Sequence, residues 1–171
     1  TVHAADYVTR YLNNELSRLE NRRIGFPWSE AHRDRALSSV GGTVAAMHTV
    51  LRPGVGGAEG PRFAGHIAGG THHAFRERGE GYCVFNDIAV AAACALRDYP
   101  DVVRRVLLID LDVHQGNGSA RIFASDPRVH TYSQVSLRAG TGYRLTHAQA
   151  AASSVHRPPP PRGTGHRFPQ A

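Results

Sequence analysis

One stretch constrains this chain more than any other. An uninterrupted apolar run at 106–109 passes directly into Asp110-Leu111-Asp112-Val113-His114 and ends in Gln115-Gly116-Asn117-Gly118. A short apolar run of this kind is a buried strand. Along a strand, residues i, i+2 and i+4 point to the same side. Asp110, Asp112 and His114 therefore share one side where the strand runs out, and that is where open α/β sheets gather their ligands. Carboxylate and imidazole donors with an open position suit a divalent metal that activates water and polarises a carbonyl. An Asp at a strand end also serves as a helix cap or a loop-bonding group. Two Asp and a His in alternation favour the metal reading, with Asp112 and His114 as the ligand pair.

A second cluster, Gly69-Gly70-Thr71-His72-His73, brings two adjacent imidazoles. Imidazole titrates near neutral pH, so His72 and His73 can act as general base and acid. They can equally belong to a polar network. The preceding glycines permit close backbone approach. Asp110 and Asn117 are positioned in sequence to orient the two rings through their second nitrogens.

The rest of the chain supplies an α/β frame. Residues 3–22 read as one helix with Tyr7, Tyr11, Leu12, Leu16 and Leu19 on a face. Ser29 caps a second helix, with Leu37, Val40, Val44, Met47 and Leu51 as its stripe, ending before Pro53. Gly41 and Gly42 weaken that helix intrinsically and imply close packing against a neighbour. A short strand is expected at 63–68, a polar loop at 74–85, and a helix capped by Asn86 or Asp87 and stopped by Pro100. Strand 105–110, a short helix at 119–123 and strand 129–133 complete the order of a parallel α/β sheet.

At 171 residues and 41% apolar content, one domain with a real core is expected. No apolar run approaches the roughly 18 residues of a membrane helix, and no signal peptide is visible at Thr1. Cys83 and Cys94 make no disulfide framework, which suits a reducing compartment. All 20 basic residues are Arg, and the last acid is Asp126. Up to that point 14 Arg balance 14 acids, so the whole charge of +6 lies beyond it. That tail reads as an unfolded, Arg-biased extension rather than a nucleic-acid surface. Residues 139–171 show no apolar period and contain Pro158-Pro159-Pro160-Pro161.

The three ordered motifs, Gly69 to His73, Gly81-Tyr82-Cys83-Val84-Phe85-Asn86-Asp87 and Ile109 to Gly118, closely resemble the zinc-dependent histone deacetylase superfamily. The Gln-Gly-Asn-Gly ending is similar to its class IV branch. The resemblance covers residues 1–133 and implies a three-layer α/β/α parallel sheet of the arginase/deacetylase type, here incomplete, with 134–171 as a Pro/Arg-rich disordered tail. It implies hydrolysis of an acetyl-lysine amide in histones or other proteins, or of a small acetylated amine, in nucleus or cytoplasm. Asp112 and His114 match two of three zinc ligands, His73 the general base, and His72 its electrostatic or acid partner, paired with Asp110. Asn117 stands where many members place an Asp, and a neutral amide there holds the ring without supporting its positive charge. Gly81 and Tyr82 match the wall of the acyl-lysine channel. Asp110 and Ser133 match a structural monovalent-cation (K+) site. The family pattern also has a third ligand, an Asp on a later strand, and a carbonyl-binding Tyr. No acid follows Asp126, so the expectation is a C-terminally truncated member that has lost its third ligand near Ser133. A catalytically inactive, partner-binding fragment is the alternative.

Overall fold

The computed structural model describes residues 2–52, 63–139 and 142–147, with side chains up to Gln134. Among these described residues, five helices and three strands run in the order α1 (Ala5–Leu12), α2 (Arg18–Ile24), α3 (Glu30–Leu51), α4 (Asp87–Asp98), β1 (Val106–Asp110), α5 (Asn117–Ile122), β2 (Val129–Ala139) and β3 (Gly142–His147).

The expected helix over 3–22 is two helices. Asn14 takes a left-handed conformation (φ 59°), and Ser17 starts α2 with a reciprocal capping box to Glu20. The cap satisfies two N–H groups locally, which a continuous helix would have used differently. Leu19 consequently points to solvent, while Tyr7, Tyr11, Leu16 and Ile24 are buried with Val84 and Phe85. The Tyr7 hydroxyl donates to the Val84 carbonyl and the Trp28 indole N–H to that of Tyr11, tying this unit together.

Ser29 caps α3 as expected. Its stripe is only half-buried, and Leu37 is exposed. The close approach expected at the glycine pair exists at Gly42, where a Cβ would collide with the His66 ring, and not at Gly41, which faces open space. No strand forms over 63–68. That segment has no ladder partner among the described residues, and Phe63 and Ile67 are exposed. Without it the parallel part of the sheet reduces to β1 and β2, which pair from Val106 with Val129 through to Asp110 with Ser133.

Helix α4 starts from the Asn86 cap and ends at Tyr99, before Pro100. It lies against β1, so Ala89, Ala92 and Leu96 form a core with Phe123, Val129 and Val2, onto which Val106 and Leu108 pack. The opposite face of β1 presents Leu107 and Ile109, 58% and 60% exposed. Among the described residues, helices therefore cover one face of the sheet. Beyond Ser133 the chain differs from the expected unstructured tail, because β2 continues to Ala139 and pairs antiparallel with β3, from Gln134 with His147 to Ala139 with Gly142. Alternation at Val135, Leu137 and Ala139, with Tyr143 and Leu145 beyond Gly140, does mark such a hairpin in the sequence, and the Pro/Arg-rich composition that follows obscured it. The remainder of that tail, 148–171, lies outside the described residues.

Candidate active site

The site forms where three separate segments meet at the C-terminal end of β1. His72, 5% exposed, places Nδ1 2.5 Å from Asp110 Oδ2. His73 places Nδ1 2.7 Å from Asn117 Oδ1. Both partners are acceptors in this arrangement, so each ring donates from Nδ1 and carries its lone pair at Nε2 when neutral. The rings lie side by side, centroids 4.1 Å apart. The two pairs singled out by sequence are thus both made, and each ring is fixed from behind.

Main-chain contacts explain how adjacent histidines reach two different partners. The Ser119 N–H donates to the His72 carbonyl (3.1 Å), docking the first turn of α5 onto the histidine loop. Gly118 is required there: a Cβ would run into the Ala74 and His72 carbonyls. Asn86 reinforces the same junction. Fully buried, its amide donates to the carbonyls of His72 and Ala74 and lies 3.0 Å from Ser119 Oγ, while its Oδ1 caps Ala89 N–H. Asn86 entered the sequence reading only as a helix cap, since nothing local in the sequence shows its partners 12 to 33 residues away.

Asp112 and His114 sit beside the histidine pair and are far more open, with side chains 50% and 72% exposed. They bond to each other: Asp112 Oδ1 accepts the His114 backbone N–H at 2.7 Å and lies 3.0 Å from its Nδ1. The backbone N–H, with the ring as a further donor, holds the Asp112 carboxyl below its ordinary value, so the group is a carboxylate at neutral pH. His72 Nε2 is 3.9 Å from Asp112 Oδ1, and the His114 ring stands edge-on to His73 with centroids 5.9 Å apart. The donor chemistry fits a zinc ion, carboxylate plus imidazole, and supplies two positions. Among the described residues no group of three His, Cys, Asp or Glu is placed to hold a metal.

Gly81 and Tyr82 adopt consecutive left-handed conformations (φ 56° and 66°). For Tyr82 this costs on the order of 1 kcal/mol. Main-chain bonds to Arg23 and Ile24 hold the turn. Its effect is to lay Gly81 against the His73 ring, where a Cβ would come within 2.8 Å of Cδ2, and to leave Tyr82 exposed, 5.0 Å from Phe26 between ring centroids. Asp110 and Ser133 face each other across the β1–β2 register and border a small cavity of about 30 Å³ with Ile88, Leu108 and Gly116. Ser133 Oγ accepts the Gly116 N–H there. Cys83 and Cys94 are both free and buried, and burial pushes the Cys83 thiol up, which leaves it a poor nucleophile.

Comparison with known proteins covers the same region. A model of the histone deacetylase domain matches residues 1–153. An uncharacterized protein of the cyanobacterium Picosynechococcus is 43% identical over 132 residues, 77% of this chain and 41% of that protein. A histone deacetylase of Candida albicans is 34% identical over 113 residues, 63% of this chain and 13% of its own. The crystal structure of an HDAC homologue from Aquifex aeolicus superposes with a TM-score of 0.60 at 27% identity, over 75% of this chain and 34% of that one. The HDAC homologue complexed with SAHA gives the same figures. The chain spans less than half the length of each of these proteins.

Proposed function

The chain belongs to the histone deacetylase domain family, and from that premise we propose that its site serves the hydrolysis of an acetyl-lysine amide, releasing acetate and the free lysine amine. The observation that carries this reading is the pair of side-by-side imidazoles, each bonded at Nδ1 to a different oxygen and each keeping Nε2 for chemistry.

His73 is the base. Its Nδ1–H is engaged by the neutral Asn117 amide, so its Nε2 is the atom that accepts the proton of the attacking water. His72 is the electrostatic or acid partner. The Asp110 carboxylate behind its Nδ1 supports a positive ring, and its Nε2 can deliver a proton to the departing amine as the C–N bond breaks. Both roles require the rings to stay put, and a fixed partner behind each Nδ1, with burial of His72, provides this. Gly81, having no side chain, leaves the space over His73 open to a slender acyl-lysine arm, and Tyr82 walls it. Members of this family are zinc-dependent; Asp112 and His114 would hold the ion, which when bound polarises the amide carbonyl and makes water a better nucleophile. Asp110 with Ser133 is proposed to hold a monovalent cation such as K+.

A second reading, a non-catalytic module with weak metal affinity, is favoured by one observation: the described residues provide two metal donors, and both are exposed. Zinc calorimetry combined with acetate release from an acetyl-lysine peptide decides between them. One-to-one zinc binding with zinc-dependent acetate release supports the deacetylase. Weak binding without release leaves the module. Acetylated small amines, offered alongside the peptide, test the width of the substrate class.

A further inference from the structure

Behind the histidine pair lies a carboxylate that the reaction does not use. Asp87 opens α4 and is fully buried. Its side chain does not cap its own helix, a task Asn86 performs. It turns instead to the loop that precedes His72. Oδ1 accepts the Thr71 N–H at 2.7 Å and the Thr71 hydroxyl at 2.6 Å. The Gly70 N–H is shared between both oxygens, at 3.1 and 3.2 Å. Oδ2 accepts the hydroxyl of Thr43, from the middle of α3, at 2.5 Å. The Asp87 N–H in turn donates to Thr71 Oγ1. Thr43 Oγ1 is also 3.1 Å from His66 Nδ1.

Two features mark this cluster as built for the loop. First, the loop has the conformation the carboxylate demands. Gly70 has φ 90°, which turns two successive N–H groups toward one acceptor, and a Cβ on Gly69 would come within 2.5 Å of Asp87 Oδ2. Second, every hydrogen bond to Asp87 comes from a threonine or a main-chain N–H, and among the described residues no cation forms an ion pair with it. Burial opposes its charge, yet the bonds from Thr43, Thr71 and Gly70 outweigh burial and hold its carboxyl below the ordinary value. A buried charge balanced this way ties its donors tightly, because releasing any one of them exposes the rest of the penalty.

We propose that Asp87, with Thr43, is a positioning residue for the active site: it anchors Gly70 and Thr71 to α3 and α4 and thereby fixes the His72 and His73 rings against Asp110 and Asn117. This rests on the reading of the two histidines as the proton-handling pair. An amide at 87 cannot do the same work, since its NH2 would face N–H donors. A valine at 43 keeps the shape of threonine and removes one donor.

The test is the imidazole nitrogen spectrum of the metal-free 171-residue chain, recorded by long-range 15N–1H correlation for wild type, Asp87→Asn, Thr43→Val and Thr43→Ser. Wild type gives His72 and His73 each as a single Nδ1–H tautomer. D87N and T43V shift both rings toward tautomer-averaged nitrogen positions, and T43S returns them to the wild-type values. The indole N–H of Trp28, held by Tyr11 in the other core cluster, keeps its wild-type resonance in every folded variant. Unchanged His72 and His73 spectra in folded D87N or T43V overturn the assignment. So does unfolding of T43V, because Thr43 would then support the whole fold rather than the loop. Failure of the wild-type chain to release acetate counts against the deacetylase reading alone and leaves these spectra as the measure of the positioning role.

Discussion

The histidine pair at 72 and 73 and the Asp112–His114 pair are neighbours built to opposite standards. In the first, His72 is buried and His73 half-buried, and the loop that carries them is tied by Asp87 of α4, which α3 bonds through Thr43, by Asn86, and by the start of α5. The second follows β1, half or more exposed, and its recorded side-chain hydrogen bonds run within the pair itself. Orientation of the His72 and His73 rings is thus an intrinsic property of this fold. Orientation of Asp112 and His114, the proposed metal donors, is left to each other and to whatever binds them. The same contrast divides β1, whose Val106 and Leu108 pack into the α4 core while Leu107 and Ile109 stay open.

Four perturbations probe that contrast, in falling order of effect. Asn86→Ala leaves the Ala74 carbonyl and the Ala89 N–H without their partners in a buried junction and takes one of two donors from the His72 carbonyl, and urea denaturation is expected to show a loss of about 3 kcal/mol; a loss under about 1 kcal/mol would mean the junction is slack. Gly118→Ala forces a methyl group against backbone carbonyls that cannot swing aside, and should cost about 1–3 kcal/mol in the same assay. The third probe is pH. His3 is buried between the Phe75 carbonyl and the Asn86 N–H, and burial, outweighing the backbone carbonyls that favour its charged form, holds its imidazole below its ordinary value. Protonation would turn its acceptor nitrogen into a second donor facing Asn86. The unfolded chain therefore binds this proton first, so the stability is complete above about pH 6.5 and declines as pH falls through that value toward the lower folded one. Burial holds His32 low too and adds in the same direction, so the measure is the difference between wild type and His3→Gln, whose slope between pH 7.5 and 5.5 should be the shallower. Asp112→Asn comes last, moving stability by less than ~0.5 kcal/mol because the site is exposed, while calorimetry shows weakened zinc binding. A large destabilisation by this change would erase the distinction between the two halves.

How much of this was legible in the sequence follows the range of each interaction. The strand end at Asp110, Asp112 and His114 could be read because its signal is local: an apolar run, a two-residue period, then glycines. The His72–Asp110 and His73–Asn117 pairings, 38 and 44 residues apart, came from knowing what an imidazole needs behind it and from family resemblance. The helix over 3–22 was misread because apolar spacing survives across the break at Asn14, while the capping box that makes the break is a side-chain event. The strand at 63–68 was misread because a short stretch between loops does not by itself supply a ladder partner. Asn86 and Asp87 looked like alternative caps for one helix. Their second function depends on Thr43, Thr71 and Ser119, and no spacing rule connects those positions.

The Asn86 side chain carries a consequence for how the site comes into being. Its backbone N–H meets a residue 83 positions away, and its amide meets others 12, 14 and 33 positions away. Contacts of such span form only after the chain between them has been gathered in, and they are the slow part of folding. The three made by the amide cannot all be satisfied while α4, the histidine loop and the start of α5 are still apart. The active-site geometry should therefore arise in the last cooperative step and be lost in the first, with no half-assembled histidine pair populated between. A refolding chain would acquire the His72–Asp110 and His73–Asn117 pairings together.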